Sequence, residues 1–533
     1  MKLIKDIAIV GGGSSGWMTA ATLAKVFPEK NITIIDSSGI PTIGVGESTL
    51  GSMNDWLSII GIKKEDFMRD CDASYKLSIK FKNFYDGKDE GFHYPFGQPI
   101  FETEKNIGSP EEWQLTKSLD PSISVQDYVN TFYPASALIN GNKYSDNLFK
   151  KFENFNPERD STVHFDAAKF AHWLKKEICI PNGVIVIDNI VNDIQTHDDG
   201  INFLILDNGK KIYADLFIDC TGFKNILSKS IGNTDFIDYS DIIPNNSAWA
   251  TRVPYENKEI DLEPYTTCTA IDNGWCWNIP LWSRVGAGYV YSDKFVSKEN
   301  ALLEFKKYLS DKFSYINVED LDFKDISFRV GIHKKTWEKN VLMIGLSAGF
   351  IEPLESNGLF TVHEFLVKLC STLEREKISQ WDIDAYNTST FMQFNDFATF
   401  VSMHYALSVR DDTSYWKNIT NKTFFPKIIN HDFTNQISPI DLIVRKFNTN
   451  NWGSLGYVGG GSKGLHCIAT GMNYSIFPSS YLYLKYKDFN ITESVNNLKT
   501  IWNSNKLRWK SIADTQPSLF QYLSDRIYNV QKK

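Results

Sequence analysis

Four apolar residues, Ile7-Ala-Ile-Val10, run directly into Gly11-Gly-Gly13-Ser-Ser-Gly16 and then into Trp17-Met-Thr-Ala-Ala-Thr-Leu-Ala. A short, continuous apolar run of this kind reads as a buried parallel strand, and the glycines read as the turn that opens a helix. A second apolar run, Ile32-Thr-Ile-Ile35, ends in Asp36. Together these pieces form the dinucleotide-binding fingerprint. Gly11 makes the tight turn, Gly13 lets the backbone approach a pyrophosphate, and Gly16 permits close helix–strand packing. Ser14 and Ser15 stand at the helix start, where backbone N–H groups face an anion. Asp36 is placed to bind ribose hydroxyls. The fingerprint commits the chain to a Rossmann-type α/β core and leaves NAD and FAD both open.

The bulk properties exclude several classes. With 533 residues, 42% hydrophobic and 14% aromatic, the chain can bury a large core. A net charge of −8 and a pI near 5.7 argue against a nucleic-acid partner. No apolar run reaches the roughly 18 residues of a spanning helix, so no membrane partner is expected. Met1-Lys-Leu-Ile-Lys-Asp enters a strand without an apolar leader segment, and a cytoplasmic location follows as the expectation. Seven cysteines show no C-x-x-C pair and no metal spacing, which suits a reducing compartment and predicts no metal.

Five further stretches carry candidate chemistry. Asn340-Val-Leu-Met-Ile344 reads as a strand, and Gly345-Leu-Ser-Ala-Gly-Phe-Ile-Glu-Pro-Leu-Glu-Ser-Asn-Gly358 as a turn leading into a helix from Leu359. On residue type alone Glu352 and Glu355 are first-turn acids, with Ser356 or Asn357 as N-cap. In Ser74-Tyr-Lys-Leu-Ser-Ile-Lys-Phe-Lys82 the alternation predicts Tyr75, Leu77, Ile79 and Phe81 on one face of a strand. Lys76, Ser78, Lys80 and Lys82 then lie on the other, as a solvated face. Phe92-His-Tyr-Pro-Phe96 and Gly274-Trp-Cys-Trp-Asn-Ile-Pro280 are aromatic strands in their plain reading. The strand Ala214-Asp-Leu-Phe-Ile-Asp-Cys ends in Thr221-Gly222. Asp166 is expected in the first turn of a helix begun by His164-Phe-Asp-Ala, and Arg410, Asp411 and Asp412 are expected to form a local ion network.

These stretches, in their order along the chain, resemble the flavin-dependent halogenases that include the tryptophan halogenases. The resemblance is strongest at Gly11–Gly16, Gly274–Pro280 and Gly345–Gly358. Pro41-Thr-Ile-Gly-Val-Gly-Glu47 looks like the family loop that lies against the flavin, which implies FAD and brings Gly46 and Glu47 into the cofactor set. Thr221, Gly222 and Gly345 join that set as further turns. The Glu-Pro-Leu-Glu-Ser block implies Glu355 as a catalytic carboxylate and Ser356, Asn357 and Gly358 as the halide site, with Asn357 standing where the family has Thr. The Tyr-Lys-x-x-Ile-Lys-Phe match implies Lys76 as the catalytic amine. His93, Tyr94 and Phe96 are implied as substrate-pocket residues, with Tyr94 at the family's His position. Trp275 and Trp277 are implied beside the tunnel that keeps substrate from the flavin.

The resulting expectation is an α/β FAD-box flavoprotein with an added, largely helical substrate region. Residues 1–416 would form the FAD module with interleaved substrate-side segments, and residues 417–533 a C-terminal helical cap. Reduced FAD, O₂ and halide would yield hypohalous acid, guided by Lys76 and Glu355 onto an indole- or phenol-like ring, with bromide or iodide ahead of chloride. A separate flavin reductase is the implied partner, and association with further copies of the chain stays open. Two alternatives stand beside this reading: an aromatic monooxygenase on the same scaffold, and a non-catalytic flavin-binding redox sensor. Having Leu346 rather than Asp after the Gly345 turn counts against the first.

Overall fold

The computed structural model describes residues 3–39, 46–100, 108–148, 151–420, 462–475, 487 and 490–529. The chain divides into two compact units that interleave along the sequence. The first comprises Met1–Ala73, Val163–Ala248 and Asp325–Asn395, and the second Ser74–Thr162, Trp249–Lys324 and Asp396–Lys533. The division therefore recurs along the chain, and the described residues beyond 416 belong with the second unit.

The first unit is built on a six-stranded sheet. Its order is Trp337–Glu338, Val341–Met343, Leu216–Asp219, Asp6–Val10, Asn31–Asp36 and Ile185–Asp188. All neighbours are parallel except the first pair. The strands are apolar because both faces of the sheet are covered: the helix Ser14–Val26 packs on one, and Ile201, Leu204 and Leu206 of the strand Gly200–Leu206 pack against Ala8, Val10, Ile35, Phe217 and Val341 on the other. The helix Ser14–Val26 buries Trp17, Met18, Ala20, Ala21, Leu23 and Ala24, more than one stripe, because neighbours lie on several sides of it. Phe360–Leu373 is among those neighbours. Each large side chain so buried contributes about 1.5–3 kcal/mol.

The expected helix at His164 begins later. Thr162–Phe165 is a strand, and Asp166 is the N-cap of Ala167–Trp173, its carboxylate accepting from the Ala168 and Lys169 N–H groups at 3.0 and 3.1 Å. A carboxylate that satisfies two orphan donors is worth more there than as a first-turn charge.

The second unit centres on a sheet ordered Lys324–Ser327, Ser247–Val253, Val285–Tyr291, Gly274–Pro280, Tyr265–Ile271, Ser78–Lys82 and Phe92–Pro95. The helix Lys298–Lys312 covers one face, packing Phe305 and Leu309 against Ala287, Tyr289 and Tyr291. In the C-terminal region the described residues are helical, with Ser462–Gly471, Ile491–Asp514 and Leu519–Arg526. Ile491–Asp514 is tied to the rest of its unit by Lys499 on Asp120 at 3.0 Å and by the Trp509 indole on Glu153 at 2.9 Å. The glycine-rich stretch from Gly459 begins outside the described residues, as does most of the Pro41–Glu47 loop.

Candidate functional site

The nucleotide cradle lies in the first unit. Gly11 has φ +111°, a conformation open to glycine, and its N–H donates to the Ile35 carbonyl. A Cβ on Gly16 would meet the Gly11 carbonyl oxygen at 1.8 Å, so the helix can approach the strand only without one. Above Gly13 there is open space out to 4 Å. The helix begins at Ser14 with no side-chain cap and no acidic residue in its first turn, which leaves its N–H groups for an anionic ligand. Asp36 ends the second strand with Lys175 3.7 Å from its carboxylate. The cradle fits a dinucleotide pyrophosphate with its ribose.

Asp219 organises the second turn. Its carboxylate accepts from the Thr221 hydroxyl at 2.7 Å and from the N–H groups of Leu227 and Ser228. Ser347 donates to Asp219 and to the Gly222 carbonyl, and a Cβ on Gly345 would sit 2.7 Å from that of Ser15. Three turns distant in sequence thus converge on one end of the sheet. Asp219 and Ser347 escaped the sequence reading, although each lies within two residues of a turn it singled out.

The segment 345–358 folds as a short 3₁₀ turn, Gly345–Ser347, a two-residue strand, Gly349–Phe350, paired with Gly331–His333, and then irregular chain to the helix Phe360–Leu373. Leu359, not Ser356 or Asn357, holds the N-cap position, with no side-chain cap, and the first turn has no acid, so Glu352 and Glu355 are not the first-turn carboxylates that residue type suggested. Both are buried, at 0% and 1% exposure. Asn245 donates to the Glu352 carboxylate. Ser356 takes φ +60° and hydrogen-bonds Ser48 at 3.0 Å, while Asn357 donates from Nδ2 to the Ile351 carbonyl at 3.2 Å. Among the described residues no hydrogen-bond donor reaches the buried Asn357 Oδ1. Gly358 lies against Glu47: a Cβ there would be 3.3 Å from Glu47 Oε2. Glu47 keeps part of its side chain accessible, yet desolvation pushes its carboxyl up to about 7. Glu47 and Ser48 pair with Phe165 and His164 of the neighbouring strand.

The second unit holds the remaining candidates. The predicted single strand is divided at Leu77 into Ser74–Lys76 and Ser78–Lys82. Lys76 is therefore separated from the other lysines. It is 0% exposed, with its ammonium 5.0 Å from the Phe96 ring centroid, while Lys80 is half-buried and Lys82 exposed. The ring face offsets part of the cost of burying that charge. Tyr94 packs edge-on against Phe400. His93 points the other way, as strand alternation requires. Its ring bonds the Ser78 hydroxyl at 3.0 Å and meets Tyr265 edge-on, and burial together with Lys80 pushes it down to about 3. The structure thus places a neutral His93 apart from Tyr94.

Gly274–Pro280 is wholly buried. Trp275 and Trp277 lie with centroids 6.2 Å apart, and the Trp277 ring occupies the space a side chain on Gly288 would need, 2.0 Å from its Cβ position. Nothing in the sequence pointed to Gly288. Arg410 makes its bidentate pair with Asp412, at 2.9 and 2.6 Å, and stacks on Trp416, confirming a structural network without Asp411 in the pair.

Among the described residues no cluster could hold a metal ion, and no helix is long and apolar enough to cross a membrane. The sequence model of the tryptophan halogenase family matches residues 6–439. Tryptophan 6-halogenase ThaL of Streptomyces albogriseolus is 31% identical over 430 residues, 78% of either chain. Tryptophan 7-halogenase RebH of Lentzea aerocolonigenes is likewise 31% identical over 430 residues, 78% of either chain. Among solved structures, VirX1 in its apo form superposes with a TM-score of 0.90 at 35% identity, covering 99% of this chain and 100% of that one. The tryptophan 6-halogenase SttH of Streptomyces toxytricini gives 0.82 at 27% identity, covering 98% and 99%.

Proposed function

The chain belongs to the tryptophan halogenase family, and from that premise we propose that it halogenates small electron-rich aromatics such as indoles and phenols, with bromide or iodide favoured over chloride. It is a flavin-dependent enzyme, and FAD when bound supplies the redox chemistry that activates oxygen. The protein's part is to hold that cofactor, bind halide beside it and direct the oxidised halogen, as hypohalous acid, to the ring. The observation that carries this reading is the join between the Gly46-Glu47-Ser48 loop and the Ser356–Gly358 loop, through the Ser48–Ser356 bond and the Glu47–Gly358 approach. A loop assigned to the flavin and a loop assigned to the halide are thereby one structure.

In this reading Gly11, Gly13, Ser14, Ser15, Gly16, Asp36, Gly46, Glu47, Thr221, Gly222 and Gly345 hold FAD. Ser356, Asn357 and Gly358 hold the halide. The buried Lys76 ammonium donates hydrogen bonds to hypohalous acid, and Glu355 takes the proton that the ring releases. Tyr94, Phe96, Trp275 and Trp277 shape the aromatic path, and the region beyond 416 caps the substrate site. Reduced FAD comes from a separate flavin reductase.

The test supplies the FAD-loaded protein and a flavin reductase with chloride, bromide or iodide in turn, against tryptophan, indole, phenols and anilines, and analyses products by mass spectrometry. Halide-dependent gain of one halogen on a small arene supports the reading. Oxygenated product regardless of halide points to a monooxygenase, and FAD binding without any product to a non-catalytic flavoprotein.

A further inference from the structure

We propose that Glu47 couples halide binding in the Ser356–Gly358 loop to the uptake of a proton. This rests on the halide assignment of that loop made above, and adds to it a proton that the loop's own groups do not explain.

Glu47 begins a two-residue strand paired with Thr162–Phe165, which holds its backbone in place. Its Oε2 is aimed at Gly358, where the lack of a side chain leaves the carboxylate directly against the loop backbone. No described residue hydrogen-bonds or ion-pairs with that carboxylate, although it is largely withdrawn from water. The titratable groups on the elements packed there are His164 on the paired strand and Glu352 and Glu355 in the loop. Glu352 already accepts from Asn245. Burial alone pushes Glu47 up to about 7.

An anion seated on the loop backbone and an ionised carboxylate against the same backbone repel each other with little water between them. A protonated Glu47 removes that repulsion and offers an O–H donor. Halide binding therefore favours the protonated form and raises its pKa further. The sign follows by linkage. Below the Glu47 pKa the carboxyl is already neutral, and halide affinity is independent of pH. Between that pKa and the raised pKa of the halide-bound state each bound halide brings close to one proton, and affinity falls by up to about tenfold per pH unit. No covalent step is involved; halide and proton enter and leave together, and net charge at the loop is conserved.

The experiment titrates bromide into the FAD-loaded protein by calorimetry from about pH 6 to about pH 9, in two buffers of different ionisation heat, so that proton uptake is read directly. Wild type is expected to show flat affinity at the acid end, a loss of up to about tenfold per unit above the Glu47 pKa and close to one proton taken up per bromide there. Glu47→Gln, checked for FAD content and Tm, is expected to bind bromide with a flat profile and no proton uptake. Glu47→Asp retains the coupling if the carboxyl is responsible. Bromide binding whose slope and proton uptake persist unchanged in Glu47→Gln overturns the coupling alone. Absence of bromide binding by wild type at every pH overturns the halide assignment of the loop and the coupling with it.

Discussion

Two glutamates three residues apart, Glu352 and Glu355, are equally buried, and their surroundings assign them different work. Asn245 donates to Glu352, so its carboxylate is part of the internal scaffold of the first unit. Glu352→Gln is expected to lower Tm, at a cost of about 1–3 kcal/mol for the disturbed buried hydrogen bond, with little change in rate per folded molecule. Glu355→Gln is expected to fold normally and to lose about a hundredfold in product formation, the usual scale for a lost proton acceptor. Equal rate losses in two well-folded variants would reject this division. Lys76→Ala is expected to abolish halogenation while leaving FAD binding intact, and Lys80→Ala to change little, because Lys76 alone of the strand's lysines is fully buried. The reverse ranking would show that the amine has been assigned to the wrong position. Asn357 commits an N–H to the Ile351 carbonyl, which fixes the side chain and leaves its Oδ1 within the loop. An acceptor oxygen there disfavours the small, strongly hydrated chloride most. Turnover with each halide is expected to rank bromide or iodide above chloride, and Asn357→Thr to shift the ranking toward chloride. A wild type that prefers chloride would refute this.

At the level of elements, the strand pair Gly274–Pro280 and Val285–Tyr291 shows how one side chain sets its neighbour's size. Trp277 and Gly288 are directly paired in the register, and the indole fills the volume beside the glycine. Gly288→Ala must push the ring or the strand aside, which costs about 1–3 kcal/mol as overpacking does elsewhere. Combining it with Trp277→Phe is expected to recover part of that loss, since the smaller ring vacates the contested space. Thermal denaturation of the two single variants and the double one checks this, and strict additivity would refute it. The break at Leu77 leaves Lys76 in a separate strand from Lys80 and Lys82.

For the whole molecule, the open matter is which ring it takes. The shift that puts Tyr94 at the family's His position, and the side of the strand taken by His93, argue against a pocket fitted to the tryptophan amino acid. In a competition of tryptophan against indole in one reaction, indole is expected to be consumed first; clear preference for tryptophan would defeat that expectation. The Rossmann core was legible in the chain because its determinants are local. A strand, a glycine turn and a helix start follow from residues adjacent in sequence, and Gly11, Gly16 and Asp36 sit where that pattern put them. Resemblance carried the same kind of local reading to Glu355 and Trp275. Burial and pairing are different, because they depend on which distant segments meet. That Lys76 is dry and Lys82 wet, that Ser48 bonds Ser356 and that Glu47 rests against Gly358 are consequences of contacts across tens or hundreds of residues. Periodicity carries no record of such contacts, since it registers only which side of an element a residue occupies and not what the fold brings to that side.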